Sequence, residues 1–352
     1  MRLVLMRRIF AAIVLISCLG AVSSVAAVED EKTIQKLIPQ EILEYGKGNF
    51  LTLTVENDSL GGGADKNYTS GVRLTYFNVK EKPGKLAEWF DGIIPIFSIN
   101  ETTTTAYSLG QNLYTPDDIT QVNQVPGARP WAAFLYGSLG LSTVTDNHVD
   151  DVEVTLGVVG PWAQGEEVQK YVHDVLNVNE PMGWDHQLDN ELGFILSWRR
   201  RWPRFFDREM YSLIFSVEPN VGGSLGNIYT LAETGFTMRL APSSGRWQDT
   251  PLLVRPSMPG SGFFQSQKQK IGWYLFGGLQ GRAVARNIFL DGNTFEDSYS
   301  VDKKPFVMDV NAGIAFTFRD VRLSYALVYR TKEFNGQDDG SLFGTVSTGY
   351  RF

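Results

Sequence analysis

The last twelve residues constrain the fold most. In Ser341 to Phe352, Leu342, Val346, Tyr350 and Phe352 share one face of an extended strand, while Ser341, Thr345, Ser347 and Arg351 share the other. An apolar face that ends in aromatic residues, opposite a polar face, is how a strand reads when one side meets lipid and the other a polar barrel interior. The pattern recurs along the chain. Alternation places strands near 49–56, 70–78, 104–113, 131–142, 149–158, 190–199, 210–219, 228–240, 271–284, 306–318, 321–333 and 342–352. It is clearest in Val152/Val154/Leu156/Val158 and in Val321/Leu323/Tyr325/Leu327/Tyr329. No 20-residue apolar helix follows the N-terminal segment, and only helices and closed barrels satisfy the backbone in lipid. The expected fold is therefore all-β: a transmembrane antiparallel β-barrel of about 12 strands, an even number with both termini on the periplasmic side.

Residues 1–27 read as an export signal. Arg2, Arg7 and Arg8 precede an apolar run from Ile9 to Val22, and Val25-Ala26-Ala27 is a small-residue cleavage site. Leu15-Ile16-Ser17-Cys18 is an alternative, lipoprotein-type box, and Cys18 is the chain's one cysteine, so the barrel has no disulfide. Residues 28–48 form an N-terminal periplasmic segment and 49–352 the barrel domain. With the three signal arginines removed, 29 basic residues face 39 acidic ones, a net charge of −10. That balance argues against a nucleic-acid partner and suits a surface facing divalent cations. The 35 glycines and 44 aromatic residues are common in barrels.

If the first strand runs outward, connections 57–69, 114–130 and 159–189 lie at the extracellular end, and they hold most of the unusual polar residues. Connections 143–148 and 319–320 are short, as periplasmic turns are, whereas 79–103 and 241–270 are too long for that pattern. In the first outer connection Asn57, Asp58, Asp65 and Thr69 supply oxygen atoms of the kind Ca²⁺ prefers. The same residues equally suit a polar surface turn. In the third, Gly160-Pro161 opens a helix expected over about 163–177. Val168, Val172, Val175 and Leu176 make one stripe, and Glu166, Gln169, Lys170, His173 and Asn177 the other. Gln169 and His173, four apart, project from one face. Histidine acts as a general base near neutral pH; an exposed helix histidine is the plain alternative, and His186 is a competing base. The chain has no H-E-x-x-H zinc motif.

Seven short motifs occur in order: Asn57-Asp58, Tyr68-Thr69-Ser70-Gly71, Gly110 to Pro116, Arg129-Pro130-Trp131, Gly157 to Pro161, Gly165 to Gln169 with His173, and Trp184-Asp185-His186-Gln187. Together they resemble the outer-membrane lipid A 3′-O-deacylases over about 49–352. The resemblance implies a Ca²⁺-dependent esterase that removes the 3′-linked acyloxyacyl group of lipid A in the outer leaflet of the bacterial outer membrane. It implies His173 as the catalytic base, with Gln169, Asn57, Asp58 and Thr69 in the site and Asn57, Asp58 and Thr69 toward the metal. Glu180 matches an acidic residue after the His with a one-residue spacing difference, and is expected to orient His173. Some members carry a functional Lys in the second outer connection; here Tyr114 to Trp131 holds only Arg129. The competing classes are a channel or passive barrel, a lipopolysaccharide-binding homologue without turnover, and a phospholipase.

Overall fold

A computed structural model of the chain describes residues 48–62, 67–79, 83–85, 97–203, 205–243, 249–251, 253–254, 262–264 and 271–352. The export signal, Cys18, most of segment 28–48 and Asp65 lie outside the described residues. The strands are β1 (Phe50–Asn57), β2 (Asn67–Asn78), β3 (Thr104–Thr115), β4 (Ala132–Val144), β5 (Val149–Val159), β6 (Glu191–Arg201), β7 (Phe206–Met210), β8 (Leu213–Gly226), β9 (Tyr229–Pro242), β10 (Gly272–Asn287), β11 (Phe306–Phe318), β12 (Val321–Arg330) and β13 (Ser341–Arg351). Neighbours pair antiparallel, and β1 pairs with β13 from Phe50↔Arg351 to Asn57↔Gly344. The sheet is thus closed, and closure removes the edges that an open sheet would expose. No described helix is long and apolar enough to cross a membrane.

The barrel has twelve strand positions. β8 pairs with β7 through Leu213 to Val217 and with β6 through Asn220 to Gly226. β6 and β7 therefore occupy one position, broken at Trp202-Pro203. Proline has no N–H to give to a ladder, which ends the pairing there. The strand expected at 210–219 is corrected accordingly: Tyr211, in the left-handed region with φ of 58°, makes the turn, and β8 begins after it. The strand expected to reach residue 333 stops at Arg330.

Alternation sorts the side chains as expected. In β13 Leu342 and Tyr350 are exposed while Ser341, Thr345 and Ser347 are buried in the lumen. Many buried polar and charged side chains fill the lumen. Ion pairs cross its middle: Arg73–Glu153 at 2.5 Å, Arg199–Glu233 at 2.8 Å, and a chain in which Arg282 and Arg330 both hold Asp309 while Arg330 reaches Glu333 at 3.1 Å. At one rim a short helix, α2 (Ile288–Asp291), buries Ile288, Phe289 and Leu290, with Phe289 stacked 4.0 Å from Tyr114.

The opposite rim carries the ends of the barrel, Phe50 and Arg351. From here part of the long β9–β10 connection rises into the bore. Asp249 pairs with Arg201 at 2.7 Å, Arg322 donates to the Asp249 and Gly262 carbonyls, and Arg351 donates to that of Phe264. Phe263 and Phe264 pack edge-on against Phe50. The length of 241–270, which fitted no simple turn, is thus explained for its described residues: it fills the barrel.

Candidate active site

The site forms at the rim away from the chain ends, on the outside of the wall. β1 ends at Asn57, and the two residues that follow the last lumen-facing side chain are tied to β2. Asn57 Nδ2 donates to the Thr69 carbonyl at 3.0 Å, and the Asp58 N–H reaches the same oxygen at 3.3 Å. The β2–β3 register shifts between Tyr68 and Ser70, so Thr69 is the extra residue of a β-bulge. Bulges re-aim side chains beside functional sites. Here the bulge brings the Thr69 hydroxyl to that of Thr115, 2.6 Å away at the end of β3. Asp58 and Thr69 are each buried to 2 % exposure. Asn57, Asp58 and Thr69, chosen from sequence, therefore form one bonded group. Thr115 is a member that the sequence reading passed over.

The second half comes from α1 (Gly165–Leu176). A short 3-10 turn over Pro161–Ala163 and a left-handed Gln164 (φ 56°) swing the chain onto the outer wall. Glu166 and Glu167 sit in the first turn, where carboxylates complement the helix dipole. Asn177 ends the helix in the left-handed conformation, with Asn177 N–H to Asp174 O and Val178 N–H to His173 O. This is a Schellman closure with Asn in the usual Gly place.

Gly165, Gln169 and His173, spaced by four, are the buried residues of α1. Val168, Tyr171, Val172, Val175 and Leu176 are exposed, Val175 to 65 %. The helix thus presents its polar stripe to the barrel wall and its apolar stripe outward. A helix in water does the reverse.

The wall under α1 is itself apolar. Leu113, Ile119, Trp131, Ala133, Ala163 and Trp184 form one cluster. A Cβ on Gly165 would lie 2.4 Å from Ala133 Cβ and 2.7 Å from Trp184, so only glycine lets the helix approach this closely. Trp184 Nε1 donates to Gln169 Oε1 at 2.8 Å. Gln169 Nε2 is buried with no hydrogen-bond partner among the described residues. His173 Nδ1 faces the Asn179 carbonyl at 2.5 Å, so that nitrogen carries the hydrogen and Nε2 is the basic one in neutral imidazole. β3 joins the halves: Thr115 bonds Thr69, and Leu113, two residues back on the same outer face, packs beneath α1.

One expectation changes. Glu180 does not orient His173; the backbone carbonyl of Asn179 does. The Glu180 carboxylate is solvent-exposed, 3.9 Å from Lys170 Nζ. Arg129 does not stand at the helix–wall site. It is buried with its guanidinium 4.8 Å above the Tyr114 ring and 3.7 Å from Glu333. His186, the rival base, is exposed in a 3-10 turn.

For a metal, the donors on offer are oxygens: the Asp58 carboxylate, Asn57 Oδ1 and the Thr69 hydroxyl. Among the described residues no group of three or more His, Cys, Asp or Glu side chains could hold an ion. A Ca²⁺ site fits the donor set, because Ca²⁺ takes carboxylate, amide and carbonyl oxygens together with water.

A closed antiparallel barrel with apolar side chains turned outward and polar ones inward defines a membrane-barrel protein. The family model described as outer membrane protein LpxR matches residues 13–352. The chain belongs to that family of outer-membrane proteins, the lipid A 3′-O-deacylases that its ordered motifs resemble. Among solved structures, LpxR from Salmonella typhimurium superposes with a TM-score of 0.68 at 22% identity, covering 86% of this chain and 100% of that one. The β domain of the Bordetella autotransporter BrkA gives a TM-score of 0.41 at 10% identity, covering 87% and 98%. A sequence search among curated proteins returns no match.

Proposed function

We propose that this protein is a Ca²⁺-dependent lipid A 3′-O-deacylase, with the α1 rim at the cell exterior. Family membership supports the reaction class. The observation that carries the reading is the inverted helix. An apolar stripe turned outward beside the apolar wall suits burial among acyl chains of the outer leaflet. It leaves Gln169 and His173 buried between the helix and the wall, next to that surface.

In this reading His173 Nε2 takes a proton from a water molecule as its oxygen attacks the ester carbonyl carbon. The Asn179 carbonyl holds Nδ1–H and stabilises the imidazolium that forms. The bond from the carbonyl carbon to the 3′ oxygen then breaks. His173 returns the proton to that oxygen, giving a 3′-hydroxyl and a free acyloxyacyl acid. The Gln169 Nε2–H, buried without a partner among the described residues, donates to a substrate or water oxygen. Asp58, with Asn57 and Thr69, would hold Ca²⁺, which supplies Lewis-acid polarisation of the carbonyl when bound. Lipopolysaccharide is the substrate partner, and the filled lumen argues against the channel alternative.

The test is mass spectrometry of lipid A from cells making the protein, with and without Ca²⁺ chelation. Loss of the 3′-acyloxyacyl mass, suppressed by chelation, is the expected result. Unchanged lipid A in cells with a folded, inserted barrel overturns the reading in favour of a homologue without turnover.

A further inference from the structure

Directly behind the site, on the lumen side, Glu56 is fully buried and collects donors from three elements. Tyr68 Oη donates to Glu56 Oε2 at 2.8 Å, Thr345 Oγ1 to Oε1 at 3.3 Å, and the backbone N–H of Val254 to Oε1 at 3.2 Å. Glu56 immediately precedes Asn57-Asp58, and Tyr68 immediately precedes the bulged Thr69. The Glu56–Tyr68 bond therefore ties β1 to β2 at the level where, on the other face, Asn57 and Asp58 bond the Thr69 carbonyl. Val254 belongs to the segment that enters the bore from the terminal rim. Its carbonyl accepts from Tyr136 Oη at 2.7 Å. A Cβ on Gly71 would lie 2.1 Å from Tyr68 Oη and 2.7 Å from Val254 Cγ1, so Tyr68 and Val254 both pack on that glycine.

We propose that Glu56 and Tyr68, braced by Val254, are positioning residues for the site: they set the spacing of Asn57 and Asp58 against Thr69 from inside the barrel. The physical reason is geometric. A bulge leaves its extra residue outside the ladder, so its orientation rests on bonds other than strand pairing. A buried carboxylate held by three donors is a stiff anchor for both flanking residues. The fold thereby links an oxygen-donor set on the outer wall to a chain segment that enters from the far end. Neither Glu56 nor Tyr68 touches the reacting atoms.

This inference rests on the deacylase reading, and the experiment separates the two. Tyr68→Phe keeps the ring packing and removes one hydrogen bond; Glu56→Gln keeps the volume and removes the charge. Purified, folded barrels of the wild type, both single variants and the double variant are titrated with Ca²⁺ by calorimetry. Their lipid A deacylation is followed over the same Ca²⁺ range. Each single variant is expected to bind Ca²⁺ about tenfold more weakly. Rates should largely recover at saturating Ca²⁺, and the double variant should be no worse than the worse single, as for one shared interaction. Ser197→Ala, which removes a lumen hydrogen bond to Ser224, should leave both readouts unchanged. Folded Tyr68→Phe and Glu56→Gln barrels with wild-type Ca²⁺ affinity and rate overturn the positioning role. So does a rate loss that saturating Ca²⁺ does not reverse, with affinity unchanged. A wild type that neither binds Ca²⁺ nor deacylates removes the underlying reading, and the brace with it.

Discussion

The indole N–H of Trp184 donates to Gln169 Oε1 at 2.8 Å, and this bond fixes which way the Gln169 amide is turned. With Oε1 held, Nε2 is the atom turned to other partners, and it has none among the described residues. A buried donor without a partner costs about 1–3 kcal/mol, which suits a group whose partner arrives with the substrate. Replacing Trp184 by Phe should release the amide. The expected result is a roughly tenfold slower deacylation with a stability loss of about 1 kcal/mol, measured by lipid A mass spectrometry and by the heat-modified mobility shift on gels.

Removing the base should separate chemistry from folding. His173→Ala is expected to lower turnover by about 10²–10⁴ while the barrel stays folded and heat-modifiable. His186→Ala, at an exposed position, should change neither. Lipid A spectra normalised to folded protein provide the check, and full activity in His173→Ala would remove His173 from the mechanism.

The approach of α1 to the wall makes a steric prediction. Gly165→Val places atoms where Ala133 and Trp184 already stand, and a packed wall yields poorly to added methyl groups. The helix should lift from β4. Activity should fall at least tenfold, and the 160–190 connection should become more sensitive to protease, while the strand signal in circular dichroism stays unchanged.

The outward apolar stripe predicts a dependence on the medium. Val175→Lys puts a charge on the face read as lipid-buried, which is unfavourable below the head groups. Deacylation in intact outer membrane should drop several-fold. Activity on lipid A dispersed in mild detergent should stay within about twofold of the wild type, since Val175 faces away from Gln169 and His173.

The packed bore predicts electrical silence. Wild-type protein in planar bilayers should give no steady porin-like current. A steady open current would restore the channel class.

Much of the barrel was legible in the sequence because lipid outside and polar residues inside impose a period of two, which β11, β12 and β13 follow closely. The β6–β7 break was not, because a single Pro203 within an arginine- and aromatic-rich stretch does not say on which side pairing resumes. At the site, Asn57, Asp58 and Thr69 were legible as oxygen-bearing neighbours, and Gln169 and His173 as one helix face. The direction of that face was not, since residue periodicity reports two stripes and only the solvent decides which is inside. The role of Asn179 was hidden for a different reason: a backbone carbonyl is common to every residue. The same applies to Val254, whose N–H and carbonyl reach Glu56 and Tyr136 without any side-chain pattern.

That lumen segment makes the barrel more than a rolled sheet. Val254 and Asp249 together engage Glu56 and Tyr136, from the early strands, and Arg322, from the late ones. The beginning and end of the chain are therefore joined twice: around the circumference by the β1–β13 seam, and across the diameter by a strut. A hollow tube resists flattening only through its wall, whereas this one carries a spoke, and the spoke meets the rim where the oxygen donors sit.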